Sequence, residues 1–511
     1  MTRSHPSTAT EDPPARPRAP KRARAARSAF AALVLAAPLG GAACSSELLR
    51  PSDSDCPAPR KTDRGGCCDT WQRWQAADGC RERVTSATLD VDVDAAASLV
   101  VAAVDGRGQI GVVATTTAAL GLYELGASGA FERIAGVGAR DALQLSEPDL
   151  ALGSDGEGLL VYRAVGWDPT RPDADGIFVA RRDPSGAWQD SGGPWSTSDS
   201  SYAPRVAIGS SGDALVTWNQ WYGNNRGVVI ATARSAGAAF TLPAAPDDVL
   251  SPAVAFSNAP MPAMSADGSF VITWYQAADG PLMVYASERF GRDAEPSRPA
   301  PSEHLSAPGA PVDSHPIANP KVALRDDGQA AVAWTQEDGA GSVRAYVATR
   351  DATGQWYRPR DLGDALSPPG HARGAQLAFG RAGDLWITWQ QSDDRGNRVV
   401  LARRDQDGAW TARAEDLVEV STPGAEGIEP RLVAGRAGGV VLAFLERPPG
   451  QSFRVAMRRA ASGSPELMPT ELLSSPELDA SPPALAIGGA ELDRVVVAWS
   501  ERGALRAATI D

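Results

Sequence analysis

Six polar residues recur at one offset in this chain. Two positions after an aromatic stand Gln220, Gln276, Gln336 and Gln391, then Glu446 and Glu501. In an extended strand residues two apart point to the same side, so each amide or carboxylate lies beside its aromatic, one step nearer the next loop. Such a series supports two kinds of chemistry. One is a repeated hydrogen bond that pins a loop or a neighbouring sheet. The other is a polar ring that works with the adjacent loops to hold a polar polymer such as a glycan. Those loops carry aromatics and acids: Trp167-Asp168 to Asp175, Trp221-Tyr222-Gly223-Asn224-Asn225-Arg226, Glu337-Asp338 and Asp393-Asp394-Arg395. The candidate ligand contacts are therefore Gln220, Trp221, Tyr222, Gln276, Gln336, Gln391, Glu446 and Glu501.

Other chemistries are poorly supplied. Past the N-terminal segment the histidines are His304, His315 and His371, all in Pro-rich connecting stretches. There is no G-x-S-x-G elbow, and Gly209-Ser210-Ser211-Gly212 reads as a hairpin turn. Gly106-Arg107-Gly108-Gln109-Ile110-Gly111 fits the spacing of a dinucleotide loop, but strand-like Val112-Val113-Ala114-Thr115 follows it where a helix N-terminus would be needed. Asp168, Asp173 and Asp175 before Gly176 are a candidate calcium site, though without the spacing and the bidentate Glu of an EF-hand. No catalytic residue, metal or cofactor is assigned. A hydrolase or lyase using paired carboxylates on the loop face stays as the enzymatic alternative, because 62 acids offer many pairs.

The elements that must position these residues follow from a repeat. Gly156 to Tyr162, Gly212 to Trp218, Gly268 to Trp274, Gly328 to Trp334, Gly383 to Trp389 and Gly438 to Phe444 are each six apart, and the aromatics, ending at Trp499, fall at intervals of 56, 56, 60, 55, 55 and 55. Pro320 to Trp356 is the clearest copy, with apolar runs Val322 to Leu324, Ala330 to Trp334 and Val343 to Thr349 separated by Asp- and Gly-bearing turns. Such a unit cannot bury both faces alone, so copies must stack. A period near 55 with three or four short strands per copy predicts a β-propeller. A weaker copy begins at Ser98, and the last, Ala484 to Asp511, supplies only about three strands. Val84 to Asp94, in which Leu89, Val91 and Val93 alternate with Asp90, Asp92 and Asp94, is expected to complete it as an outermost strand. The expected fold is all-β, a propeller of eight four-stranded blades over 84–511 closed by strands from both termini, with seven blades as the alternative. The recurring aromatics are expected between adjacent sheets.

Arg182-Asp183-Pro184-Ser185-Gly186-Ala187-Trp188, Arg350 to Trp356 and Arg404-Asp405-Gln406-Asp407-Gly408-Ala409-Trp410 each end a third strand, with the looser Gly237-Ala238-Ala239-Phe240 as a fourth instance. With Asp and Trp five apart, these turns resemble degenerate Asp-boxes of the sialidase-like β-propeller superfamily. There the box is a fold element away from the active face. Sialidase catalysis is not implied: Arg133-Ile134 is followed by Ala135 where that superfamily's enzymes have Arg-Ile-Pro, and no catalytic residue carries over.

The N-terminus sets the cellular address. Residues 1–43 hold seven Lys/Arg against Glu11 and Asp12, a net +5 that leaves −18 of the formal −13 on the remainder. A body so acidic argues against nucleic acid. The short apolar run Ala29 to Leu39 after a basic stretch reads as a signal peptide. Gly40-Gly41-Ala42-Ala43 before Cys44 resembles a bacterial lipoprotein cleavage site, which implies lipidation of Cys44 and a membrane contact through that anchor alone. The protein is then exported, an outer-membrane or cell-surface lipoprotein, with a periplasmic or secreted form as the alternative. Cys56, Cys67, Cys68 and Cys80 form an even set that reads as two disulfides, each adjacent cysteine taking an outer partner, within a tether over 44–83; a four-thiolate zinc site is the rival reading, which needs a reducing compartment and lacks the paired C-x₂-C spacing. The expected function is a monomeric binding module for glycans or surface proteins. A structural cell-envelope subunit is a further alternative.

Overall fold

The computed structural model describes residues 72–75, 79–82, 84–92 and, apart from short loop segments, 99–510. The signal segment, Cys44, Cys56, Cys67 and Cys68 lie outside the described residues, as does the side chain of Cys80 in the strand Gly79–Glu82. The described chain is built of strands, with one 3-10 turn at Leu362–Asp364, and no helix among those residues is long and apolar enough to cross a membrane.

Within each sequence repeat the strands pair antiparallel in chain order, and a parallel pairing, Val343 opposite His371, joins the 321–357 and 371–419 strands into one sheet. In the 144–190 sheet, Gln144–Leu152, Gly158–Val165, Asp175–Arg182 and Trp188–Asp190 pair successively. The first two strands meet at a tight turn whose glycine has positive φ: Gly156, Gly212, Gly268, Gly328 and Gly383 lie between +82° and +94°, where a side chain would be strained. Gly106 lacks a side chain for a different reason, since a Cβ there would sit 2.6 Å from Cα of Ser154 in the next sheet. The apparent dinucleotide loop is thus a repeat turn.

Two repeats depart from four strands. The 201–234 and 256–289 sheets have three, and the segment that follows is tied to the third strand by isolated hydrogen bonds. Thr232 Oγ1 donates to Thr241 O and Ser287 Oγ to Ser297 O, both at 2.6 Å. At the chain ends, Ala484–Gly488, Arg494–Glu501 and Ala504–Ile510 form three strands, and Val84–Asp92 pairs antiparallel along the last of them, Val84 opposite Ile510 and Leu89 opposite Leu505.

Eight apolar clusters hold the described sheets together, each built from two sheets that follow one another in the repeat. Trp218, for example, packs with Val161 and Val179 of the preceding sheet, Trp274 with Leu215 and Val229, and Trp334 with Val284. Another cluster joins Val100, Ile110 and Val112 of the 99–133 sheet to Ala484, Val496 and Leu505 of the C-terminal sheet. The register aromatics are 3% exposed or less, so each contributes a large apolar area where flat sheets meet.

The Asp-box turns add polar ties between sheets. Asp183 Oδ1 accepts from the backbone of Ser185 and Ala187, and Asp351 Oδ1 from that of Thr353 and Gln355. The Arg and Trp on either side of each turn then grip one carboxylate of the preceding sheet. Arg182 Nε and Trp188 Nε1 both lie 2.8 Å from Glu124, and Arg350 Nε and Trp356 Nε1 lie 2.8 and 3.1 Å from Glu288. Trp410 of the third box falls outside the described residues.

Candidate functional site

The first strands of the sheets face a common central space. Ends of five of them, at Val104, Leu152, Ile208, Ala434 and Ile487, line one cavity of about 240 Å³. Toward the opposite ends of the same strands lies a repeated irregularity. Pairing registers slip after Ser146, Tyr202, Asn258, Arg373 and Ile428, and the next residue adopts positive φ: Glu147 (53°), Ala203 (51°), Ala259 (55°), Gly374 (62°) and Glu429 (55°). Four of these five are non-glycine residues followed by proline, a costly backbone setting held by the sheets around it. A bulge re-aims the side chains beside it.

Two residues past four of these bulges lie Asp149, Arg205, Met261 and Arg431, and Lys321, which also follows a proline, stands at the matching place at the start of its strand. Lys321 Nζ lies 3.9 Å from Sδ of Met261 in the neighbouring sheet. Its charge interacts with those of Arg205, Arg431, Asp149 and Glu429, which belong to three further sheets. Burial, then Arg205 and Arg431, push the Lys321 ammonium down to about 7. Burial raises the Asp149 carboxyl against the opposing pull of Arg205 and of the Val206 N–H, which donates to Asp149 Oδ2 at 2.9 Å.

Beside this space, an aromatic and ionic rim spans three consecutive sheets. The ring of Tyr202 stands 6.4 Å from Trp221, and Trp221 stands 5.7 Å from Phe256; all three are half-buried. Next to them Arg163 bridges Glu147 at 3.2 Å and Asp175 at 2.5 Å, and Glu147 also accepts from the Ala203 N–H. Burial pushes the Tyr202 phenol up to about 12, Trp221 opposing and Tyr275 and Glu147 adding to it. The rim thus presents apolar ring faces with a neutral hydroxyl and a fixed guanidinium. Such a surface suits a sugar: ring faces for its C–H groups, polar groups for its hydroxyls.

The six polar residues that open the sequence pattern have a different setting. Gln220, Gln276, Gln336, Gln391, Glu446 and Glu501 are 0–6% exposed. Trp218, Trp274, Trp334 and Trp389 each donate their indole N–H to the amide two residues on, at 3.0–3.1 Å. Gln336 Nε2 reaches the carbonyls of Ala307 and Ala310, and its Oε1 takes the Ala307 N–H. Glu446 follows Phe444, which has no N–H to give, and takes the N–H and hydroxyl of Thr422 instead. Glu501 accepts from the N–H of Ser475. For Gln336, Glu446 and Glu501 this is a pin on the segment that leads into the sheet, whereas Gln276 takes the Ser257 hydroxyl of the first strand, and the Nε2 atoms of Gln276 and Gln391 have no hydrogen-bond partner among the described residues.

Trp221 belongs to the rim. Tyr222 pairs through its backbone with Arg226, and its side chain is outside the described residues. Asp168 caps Thr170 and pairs with Arg171, and Asp175 is held by Arg163, so neither carboxylate is shared with the other.

A second series escaped the sequence pattern. Ser196, Ser251, Ser306, Ser367, Ser421 and Ser474 each accept the N–H of a third-strand residue, at 2.5–3.2 Å. Its signal was the large apolar residue before each serine: Trp195, Leu250, Leu305, Leu366, Val420 and Leu473.

No family model matches the chain, and no curated protein does. Solved structures do. A lectin from Burkholderia pseudomallei aligns over 74% of this chain and 99% of its own, at 15% identity and a TM-score of 0.47. A polysaccharide lyase aligns over 84% and 99%, at 11% identity and 0.46. An alpha-L-arabinofuranosidase of Fusarium graminearum aligns over 72% and 92%, at 11% identity and 0.38.

Proposed function

We propose that the protein is an exported, lipid-anchored β-propeller that binds glycans through the Tyr202–Trp221–Phe256 rim. The observation that carries this reading is the rim itself: three half-buried rings over two sheets, with Arg163 and Glu147 fixed beside them. Aromatic faces with a few oriented polar groups are the usual composition of a site for an uncharged or weakly charged polar ligand. An eight-bladed propeller over 84–511, closed by the pairing of Val84–Asp92 with Ala504–Ile510, accounts for the cluster that joins the first and last sheets. The basic and apolar N-terminal stretch, ending at Cys44, supports export and lipidation, and the four later cysteines support a disulfide-bonded tether.

The test is glycan-array binding by the purified protein, with and without calcium. Saturable binding that Trp221→Ala weakens by roughly tenfold or more is expected, as for removal of an interface aromatic. Binding left intact by Trp221→Ala moves the site off the rim. Release of product from a bound polysaccharide favours the carboxylate-using enzyme, and an array with no binder sends the search to protein partners.

A further inference from the structure

The central space holds more positive charge than its own acids neutralise. Lys21 and Lys61 precede residue 84, so Lys321 is the one lysine of 84–511. Its ammonium has no carboxylate within ion-pair distance among the described residues, and it meets the Met261 thioether at 3.9 Å, a weak acceptor. Arg205 likewise has no ion pair there; its Nη1 donates to the Pro204 carbonyl at 2.6 Å and its remaining donors are unspent. Arg431 is shared with Glu429 at 3.4 Å and with the Pro430 carbonyl at 3.0 Å. Against these three cations stand Glu429 and Asp149, and Asp149 already takes the Val206 N–H. In a chain of net charge −13, cations left unpaired on strands from separate sheets run against the overall balance.

Like charges brought together in a partly buried space are costly, and the cost is reduced when an anion sits between them. Guanidinium and ammonium donors around one space match the oxygens of a sulfate, phosphate or carboxylate, which accept several charge-assisted hydrogen bonds at once. A neutral sugar would leave the charges uncompensated.

We propose that the central space is an oxyanion-binding site formed by Lys321, Arg205 and Arg431, taking either a free inorganic oxyanion or the charged group of an acidic saccharide. The site goes beyond the rim and stands whether or not the rim binds a glycan. The groups that face Lys321 from other sheets include Arg205, Arg431, Asp149, Glu429 and Met261. An anion there favours the ammonium form, so binding and protonation reinforce one another. Affinity is highest below neutral pH and falls as pH rises through the titration of Lys321.

The scarcity of lysine supplies a clean probe. Full-length protein, reductively methylated with ¹³C formaldehyde, gives few dimethyl-lysine signals, and the one absent from Lys321→Met is that of Lys321. Sodium sulfate or phosphate is expected to shift this signal saturably, where sodium chloride at equal ionic strength does not. The titration midpoint of Lys321 is expected to rise by about one pH unit or more, the equivalent of about a tenfold preference of the anion for the charged form. Arg205→Gln, which keeps the reporter lysine, should weaken the response by about tenfold with an unchanged circular dichroism spectrum. A sulfated or uronate oligosaccharide that acts where inorganic ions do not assigns the site to the saccharide's charged group; the reverse order assigns it to the free ion. No response beyond chloride from any of these probes overturns the proposal, as does a response that Arg205→Gln leaves unchanged. A saccharide that binds without moving the Lys321 signal keeps the rim reading and removes this one.

Discussion

At the scale of single residues, Gln336 carries two duties at once and shows what that is worth. It satisfies the indole of Trp334 and the backbone N–H of Ala307 through one oxygen, and two carbonyls through its nitrogen, all out of reach of water. Gln336→Leu keeps the volume and strands those donors. Each buried donor left unpaired costs about 1–3 kcal/mol, so a loss of about 2–6 kcal/mol is expected for the two, read as a lower denaturant midpoint with an unchanged slope. Folded Gln336→Leu protein is expected to bind glycan as the wild type does, because the residue offers the ligand no surface. A selective loss of binding at unchanged stability would instead restore the six as a contact ring. This residue class was legible in the sequence because it repeats with the aromatic before it. The central-space residues were not. Their shared signal is only the preceding proline, at Pro148, Pro204, Pro260, Pro320 and Pro430, after which the side chain changes from Asp149 to Arg205, Met261, Lys321 and Arg431. Their meeting is a property of the ring of strands, which local spacing does not encode.

At the scale of elements, the Asp-box turn is a small folding unit with its own pH dependence. Asp351 receives the hydroxyl and N–H of Thr353, the Gln355 N–H and the Tyr357 hydroxyl. Led by the Thr353 hydroxyl bond, these hold its carboxyl down at about 2, from an ordinary 3.8. A group with a depressed folded-state value binds its proton more readily in the unfolded chain. Its stabilising effect is complete above pH 4 and is lost as pH falls from about 4 to 2. The melting temperature of the wild type is therefore expected to fall more steeply over that range than that of Asp351→Asn, the two curves converging near pH 2. Parallel curves would mean that the solvated turn transmits nothing to the sheet. The turn was legible because its Asp-to-Trp spacing is local; the carboxylates it reaches, Glu124 and Glu288, lie on the preceding sheet, 64 and 68 residues from their tryptophans.

At the scale of the whole molecule, the question is what prevents the last sheet from ending in an open edge. Ala504–Ile510 pairs with Arg494–Glu501 on one side and with Val84–Asp92 on the other. Without the N-terminal strand, its free N–H and C=O groups would template pairing with another chain. The sequence pointed to this strand because the last repeat was one strand short, a deficit that only a distant segment could fill. A chain beginning at residue 81 is expected to melt as the full-length protein does. One beginning at residue 95 is expected to melt lower by roughly 5–10 °C, the consequence of losing a few kcal/mol of strand pairing in a domain this size, and to form dimers or larger species through the exposed edge. Size-exclusion chromatography with calorimetry checks both. Equal melting temperatures and a monomeric 95–511 chain would show that the 99–133 and C-terminal sheets hold each other through the cluster around Val112 and Leu505 alone, with no closing strand required.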